Sequence, residues 1–348
     1  MDFRKLKIGY VPYLPDLSQP GDRRRFPYFA KRNNIPFEIA DKNKQYDIIL
    51  LTASGNLSKW LIYKRKHPGT KFIFEMVDSL IFSPDIFSTF FKGIGRFILR
   101  KEDLLFINYK KLIIRWLKTA DVVACSSKEL KRNIEKWNSS VIVSLDYLED
   151  EYEFIKTNYN INGKMKLLWE GQSVVLRHFL YYKDLFKQLS PFCELHVITI
   201  EKYPLFGNLI HRDIEKILSQ LPIKTIFYKW DINKNREVFK QCDCGIIPLN
   251  KKNIFGWHKP ANKLISFWFS GLPTVVSDTP AYVDLMNDAN ENLYCYNIDE
   301  WAAKLKLIKN MTPIEREEIS KKNFVYVKAK YSNKVLDSVW FQIFGMFL

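Results

Sequence analysis

The chain has 348 residues, 47% of them apolar, and carries 54 Lys and Arg against 38 Asp and Glu for a net charge of +16. That is enough apolar material for two domains of ordinary size and excludes a disordered tail or a fibre. The cationic excess favours an anionic partner, whether nucleotide, nucleic acid or acidic membrane surface, without choosing among them.

The N-terminal MDFRKLKIGYVPYLP contains no apolar segment of signal length, and no apolar run reaches the about 18 residues that a bilayer span requires, so a cytoplasmic protein is expected. Then LKIGYV (6–11), YDIILL (46–51), KFIFEMV (71–77), DVVACSS (121–127) and SVIVSL (140–145) read as strands separated by helical patterns, hence a parallel sheet covered on both faces. The loop after the first strand holds Pro20 and Gly21, which favour a tight turn, followed by Asp22, Arg23, Arg24 and Arg25. Three consecutive arginines cannot face one way. One or two suit bidentate contacts to a phosphate, while the others hold solvent or carboxylates.

Asp78, just past the third strand, reads either as the N-cap of a helix opening at Ser79 or as a free carboxylate at a strand end. Residues 86–118 are dense in Phe, Ile and Leu with Lys and Arg interleaved. This pattern fits a helix in an anionic membrane interface or core helices with solvated basic faces. The polar stretch 146–163 interrupts the alternation and is the candidate linker.

A second alternation runs through KMKLLWEG (164–171), ELHVITI (194–200), KTIFYKW (224–230), CGIIPL (244–249) and LPTVVSD (272–278), and the chain from Glu291 reads as helical. In open parallel sheets ligands bind beyond the carboxyl ends of the strands, so two such domains would enclose a cleft. Gly171 and Gln172 follow the first strand of this half. Trp230 follows the third, where a core tryptophan is the alternative.

The five cysteines, Cys125, Cys193, Cys242, Cys244 and Cys295, are odd in number, and several lie in apolar runs, as packing thiols in a reducing compartment do. Cys242 and Cys244 lack zinc-ligand spacing, so no metal is expected.

The densest signal is HKPANKLISFWFSGLPTVVSD (258–278). Pro260 at the start and Gly271 at the end predict a helix over 260–270. Ala261, Leu264, Ile265, Phe267, Trp268 and Phe269 cover most of its surface. Lys259, Lys263, Ser266 and Ser270 recur at helical spacing as one polar stripe. A helix N-terminus with Lys259, Asn262 and Lys263 suits a phosphate. Alternatively, these side chains snorkel to solvent or pair with carboxylates. His258 is either a hydrogen-bonding partner of the same ligand or a loop histidine without one.

CDCGIIPL followed by KPANKLISFWFSGLPTVVSDTPAY resembles the nucleotide-binding half of GT-B glycosyltransferases, and DRRRF (22–26), FEMVDSLI (74–81) and KTADVVACSSKELKRNI (118–134) are similar to their N-terminal half. The resemblance implies two doubly wound Rossmann-like α/β domains facing across a cleft: 1–150 on the acceptor side and 164–330 binding a nucleotide-sugar. A C-terminal helix, 331–348, crosses back towards the N-terminal domain. It implies donor contacts at Gly171, Gln172, Trp230, His258, Lys259, Asn262, Lys263 and Ser266, and acceptor or phosphate contacts at Gly21, Arg23, Arg24 and Arg25. The two glutamates of the commonest retaining enzymes align with His258 and Ser266, so neither carboxylate is present and the donor type and stereochemistry stay open.

Transfer to a hydroxyl needs its proton removed, for which Asp78 is the first choice and Asp22 the second. The expected function is sugar transfer to a glycan or lipid-linked acceptor of a bacterial surface polysaccharide, namely lipopolysaccharide, capsule or O-antigen. The nucleotide-sugar is a co-substrate and no cofactor is expected. The setting is cytoplasmic, or peripheral on the inner face of the plasma membrane where the surface is anionic. The alternative is a GT-B-like scaffold that binds a glycan or partner without catalysis. No helix-turn-helix, zinc-finger or RRM signature is present, and the basic residues are spread along the chain, so nucleic acid is not an expected partner.

Overall fold

The computed structural model describes residues 3–77, 81, 93–98, 101–106, 108–153, 156–205, 210–252 and 254–347. The chain divides into two compact units, the first comprising Met1–Tyr147, His258–Pro260 and Asn333–Leu348, the second Leu148–Trp257 and Ala261–Ser332.

In the first unit, β1 (Ile8–Val11), β2 (Glu38–Ile39), β3 (Ile48–Thr52), β4 (Lys71–Met76), β5 (Val122–Cys125) and β6 (Val141–Val143) form a sheet in the order β2-β1-β3-β4-β5-β6, with every pair parallel. All five residues of β3 are buried, as a strand covered on both faces requires. One face packs Phe72 and Phe74 against Trp60 and Trp116 of the helices Leu57–Lys66 and Tyr109–Thr119. The other packs Tyr10, Leu50 and Ile73 against Phe26 and Phe29 of the helix Phe26–Arg32, and against Trp340 and Phe344 of the helix Asn333–Gly345. The rings of Phe29 and Trp340 stack with centroids 5.8 Å apart. The end of the chain therefore closes the core that its beginning starts.

The second unit has β7 (Met165–Glu170), β8 (Cys193–Thr199), β11 (Thr225–Lys229), β12 (Cys244–Ile247), β13 (Thr274–Ser277) and β14 (Tyr294–Cys295) in the parallel order β11-β8-β7-β12-β13-β14. An antiparallel ribbon, β9 (Lys202–Leu205) with β10 (Ile210–Asp213), follows β8. The direction of winding reverses between β7 and β12 here, and between β1 and β3 in the first unit. Such reversals open crevices at the carboxyl ends of the strands.

Several elements depart from the sequence reading. The chain after Glu291 is not helical throughout, because β14 pairs with β13 before the helices begin. Like β2, it has two residues, too few to show a period.

The boundary between the two units falls at Tyr147–Leu148, inside the candidate linker 146–163, and the later part of that stretch is packed within the second unit. Tyr159 donates to the Gly271 carbonyl at 3.0 Å, and buried Lys156 donates to the Lys240 carbonyl at 2.8 Å, both inside the second unit. The helix predicted over 260–270 spans Asn262–Phe269, with Ala261 as N-cap. Its stop is as expected: Gly271 has φ 71°, a left-handed conformation suited to glycine, and Leu272 N–H closes onto the Phe267 carbonyl at 3.0 Å.

Of the 86–118 region, the helix Tyr109–Thr119 is core on one face, with Leu112, Ile113, Trp116 and Leu117 buried, whereas Phe97, Ile98, Leu104 and Leu105 are exposed. Among the described residues no helix is long and apolar enough to cross a membrane. All five thiols are buried and unpaired, and burial raises that of Cys125 to about 11.

Candidate functional site

The carboxyl ends of β7, β8 and β11 in the second unit are tied together by short bonds. Gly171 N–H donates to the Ile198 carbonyl at 3.1 Å, the Thr199 hydroxyl donates to the Gly171 carbonyl at 2.6 Å, and Trp230 N–H donates to the Thr199 carbonyl at 2.8 Å. The Trp230 indole N–H reaches the Glu170 carboxylate at 3.2 Å. Trp230 therefore stands at a strand end, where the sequence reading has it.

Lys263, in the first turn of the Asn262–Phe269 helix, extends over this rim. Its Nζ lies 4.5 Å from the Trp169 ring centroid. It also lies so close to Gly171 that a Cβ there would overlap it and stand 3.0 Å from Trp169 Cζ2. Only glycine lets the ammonium and the backbone share this space.

The first turn of the helix has no side-chain cap, and Asn262 Oδ1 is buried without a hydrogen-bond partner. A helix start without a side-chain cap, and a first-turn ammonium that reaches the Gly171 backbone, are the usual chemistry of an anion site. Gln172 is exposed beside it, as the residue preceding the helical turns Ser173–Tyr182.

Three readings of the helix change. Ser266 is buried and its hydroxyl donates to the Lys263 carbonyl at 2.8 Å, while Ser270 does the same to the Phe267 carbonyl. The two serines of the supposed polar stripe thus satisfy backbone of their own helix. His258 and Lys259 cluster with the first unit, unlike Asn262 and Lys263. There, His258 Nδ1 lies 2.9 Å from a Glu129 carboxylate oxygen, and Lys259 is half-buried.

In the first unit, Asp22 is fully buried and accepts from the Tyr10 hydroxyl at 2.7 Å and from the N–H groups of Tyr13 and Leu14 at 2.9 and 3.1 Å. It anchors the loop after β1, its carboxylate enclosed by these three donors, an arrangement that favours a structural role over the base expected from the sequence. Arg25 is also fully buried. Its Nε pairs with Glu75 at 2.8 Å, and its Nη1 donates to the Ser144 carbonyl at 3.0 Å and to Asp146 at 3.1 Å.

Arg25 is therefore a core ion-pair partner rather than a phosphate clamp. Burial raises the Glu75 carboxyl above the usual carboxylate range, against the pull of Arg25. Burial works to lower the Arg25 guanidinium, but Glu75 and Asp146 overcome it and hold the group above its ordinary value.

Arg23 and Arg24 remain half-buried, Arg23 Nε donating to the Ser18 carbonyl at 3.2 Å. Gly21 lies under the Tyr13 ring. Asp78 lies outside the described residues. Sequence reasoning missed Glu75 and Glu170. Each is a lone acid in a strand run, FIFEMV and KLLWEG, and a charge there signals a required partner.

No family model matches the chain, and no curated protein does. Solved structures do. Anabaena Alr3699/HepE in complex with UDP superposes with a TM-score of 0.67 at 11% identity, covering 97% of this chain and 99% of that one. A glycosyltransferase from Rickettsia africae gives 0.61 at 12%, covering 97% and 96%. A single-site mutant of S. aureus TarM in complex with fondaparinux, alpha-GlcNAc-glycerol and UDP gives 0.57 at 12%, covering 85% and 55%. The chain thus spans about half the length of TarM and nearly all of the other two. At these identities the likeness establishes the fold, and the chain shares the GT-B architecture of two Rossmann-like units.

Proposed function

We propose that this chain is a glycosyltransferase that moves a sugar from a nucleotide-activated donor to a hydroxyl of a glycan or lipid-linked acceptor. The observation that carries the reading is the Lys263 ammonium held over Gly171 and Trp169, beside an uncapped helix N-terminus at the winding reversal of the second unit. The UDP complexes of the similar HepE and TarM proteins support a nucleotide at such a fold.

As the donor's glycosidic bond breaks, negative charge collects on the departing diphosphate. Lys263 and the first-turn N–H groups stabilise that charge more than they stabilise the ground state. With Asp22 enclosed, Asp78 is the assigned base for the acceptor hydroxyl.

The acceptor assigned here belongs to a bacterial surface polysaccharide, made at the inner face of the plasma membrane. Exposed Phe97, Ile98, Leu104 and Leu105 on a chain of charge +16 support peripheral attachment to anionic lipid. Absence of flotation with anionic vesicles at low salt removes that part of the proposal.

The test of the activity is calorimetric titration with UDP, GDP, ADP and CDP, followed by turnover of the corresponding nucleotide-sugars. Binding of one diphosphate that weakens at least tenfold in Lys263→Met supports the site. Binding without any turnover favours a non-catalytic scaffold, and no binding at all refutes the nucleotide reading.

A further inference from the structure

We infer that Glu170 reads the ribose hydroxyls of the bound nucleotide, an assignment that rests on the nucleotide reading of this site and deepens it. Glu170 is the last residue of β7, immediately before Gly171, and is half-buried. The Trp230 indole N–H holds Oε1 at 3.2 Å, and Trp230 is itself fixed through its backbone to Thr199. That contact orients the carboxylate through Oε1, and among the described residues no hydrogen bond engages Oε2.

The neighbouring carboxylates at these strand ends are engaged. Glu201 pairs with Lys229 at 3.0 Å, Asp278 with Lys251 at 2.6 Å, and Asp231 accepts the Lys234 N–H at 3.1 Å. Among the described residues, Glu170 has no cation partner.

A carboxylate one residue from the phosphate position repels phosphate, so its ligand must be a neutral hydrogen-bond donor. A nucleoside diphosphate supplies one. Its vicinal diol belongs to the ring that a single methylene joins to the α-phosphate, so a diphosphate held at Gly171 and Lys263 brings two hydroxyls to the adjoining strand end. An ionised carboxylate is acceptor-only and takes two such hydroxyls. Hydrogen bonds of this charge-assisted kind discriminate strongly against an analogue that lacks the donors.

The experiment compares the tightest-binding of UDP, GDP, ADP and CDP with its 2′,3′-dideoxy counterpart by calorimetry on the full chain. The wild type is expected to bind the ribose form at least tenfold more tightly. In Glu170→Ala that ratio falls to within twofold, while the dideoxy affinity is unchanged, which shows that the phosphate end of the site is intact. Glu170→Gln, which retains one carbonyl acceptor and the side-chain shape, restores part of the ratio.

Equal affinities in the wild type, or an undiminished ratio in Glu170→Ala, overturn the assignment while leaving the nucleotide site standing. No binding of any diphosphate by the wild type overturns both, and that failure is read from the wild type alone.

Discussion

Replacing Gly171 with alanine tests the site through a single methyl group. The new Cβ overlaps Lys263 Nζ and comes within 3.0 Å of Trp169 Cζ2. Trp169 is fully buried and packed edge-on against Phe179, with centroids 5.3 Å apart, so the ring cannot move aside. The lysine end is flexible and yields.

Overpacking of this kind costs about 1–3 kcal/mol. The reduced entropy of the unfolded chain returns about 0.4–1 kcal/mol, because the backbone at Gly171 is not left-handed. A net destabilisation of roughly 1–2 kcal/mol is therefore expected from the difference of these two effects. Binding should suffer more than stability: at the proposed phosphate site, displacing the ammonium would remove charge-assisted hydrogen bonds of about 1.5–3 kcal/mol, or roughly 10- to 150-fold in Kd.

Calorimetry with the bound diphosphate measures the second effect and urea unfolding the first. In a Lys263→Met background, Gly171→Ala should add little to the binding loss, because both changes remove the same interaction. A Gly171→Ala protein that is destabilised yet binds the diphosphate as the wild type does would refute the placement of Lys263 at the phosphate.

Arg25→Met strands Glu75 in the core of the first unit, and a loss of about 3–5 kcal/mol by urea unfolding is expected. Adding Glu75→Gln should recover part of it, and full tolerance of the single change would contradict the buried pair. Asp22→Asn turns an amide NH2 donor against at least one of the three donors that Asp22 satisfies, so stability should fall by about 1–3 kcal/mol. Turnover per folded molecule should hold, whereas loss of a base would cost about 10²–10⁴ in rate.

Burial keeps the His196 imidazole below its ordinary range, against the opposing Glu194 carboxylate at 3.1 Å. The unfolded chain therefore takes up the proton first. The stability contribution is complete above about pH 6.5 and is lost as pH falls towards the folded value. Between about pH 7.5 and 5.5 the urea midpoint of the wild type should drop, and His196→Gln should flatten that slope. The Glu194 carboxyl, held down first by its hydrogen bond from Lys224, contributes only at lower pH.

Five strands of each sheet were legible because each is an apolar run closed by Asp, Gly, Pro or Asn, and burial on both faces leaves that mark on composition. The stop at Gly271 was legible for a similar local reason. The helix start was displaced from Pro260 to Asn262 because a proline tolerates the first turn without compelling it. Ser266 shows another limit: helical spacing reports which residues share a face, whereas its hydroxyl donates to its own backbone, which spacing does not reveal. The arginine run behaved likewise. Arg23, Arg24 and Arg25 are indistinguishable in sequence, yet only Arg25 is fully buried with an ion-paired partner on β4.

Local pattern alone determined that this chain builds two wound α/β units and that a cation-bearing helix terminus follows β12, since apolar period and turn chemistry act over a few residues. Which partner each charged group meets was decided by the tertiary fold. Lys263 over Gly171, Glu170 with Trp230, and Arg25 with Glu75 bring together positions distant in the chain. Their pairing depends on how parallel strands order themselves across a sheet. That order comes from the packing of whole faces rather than from any single segment.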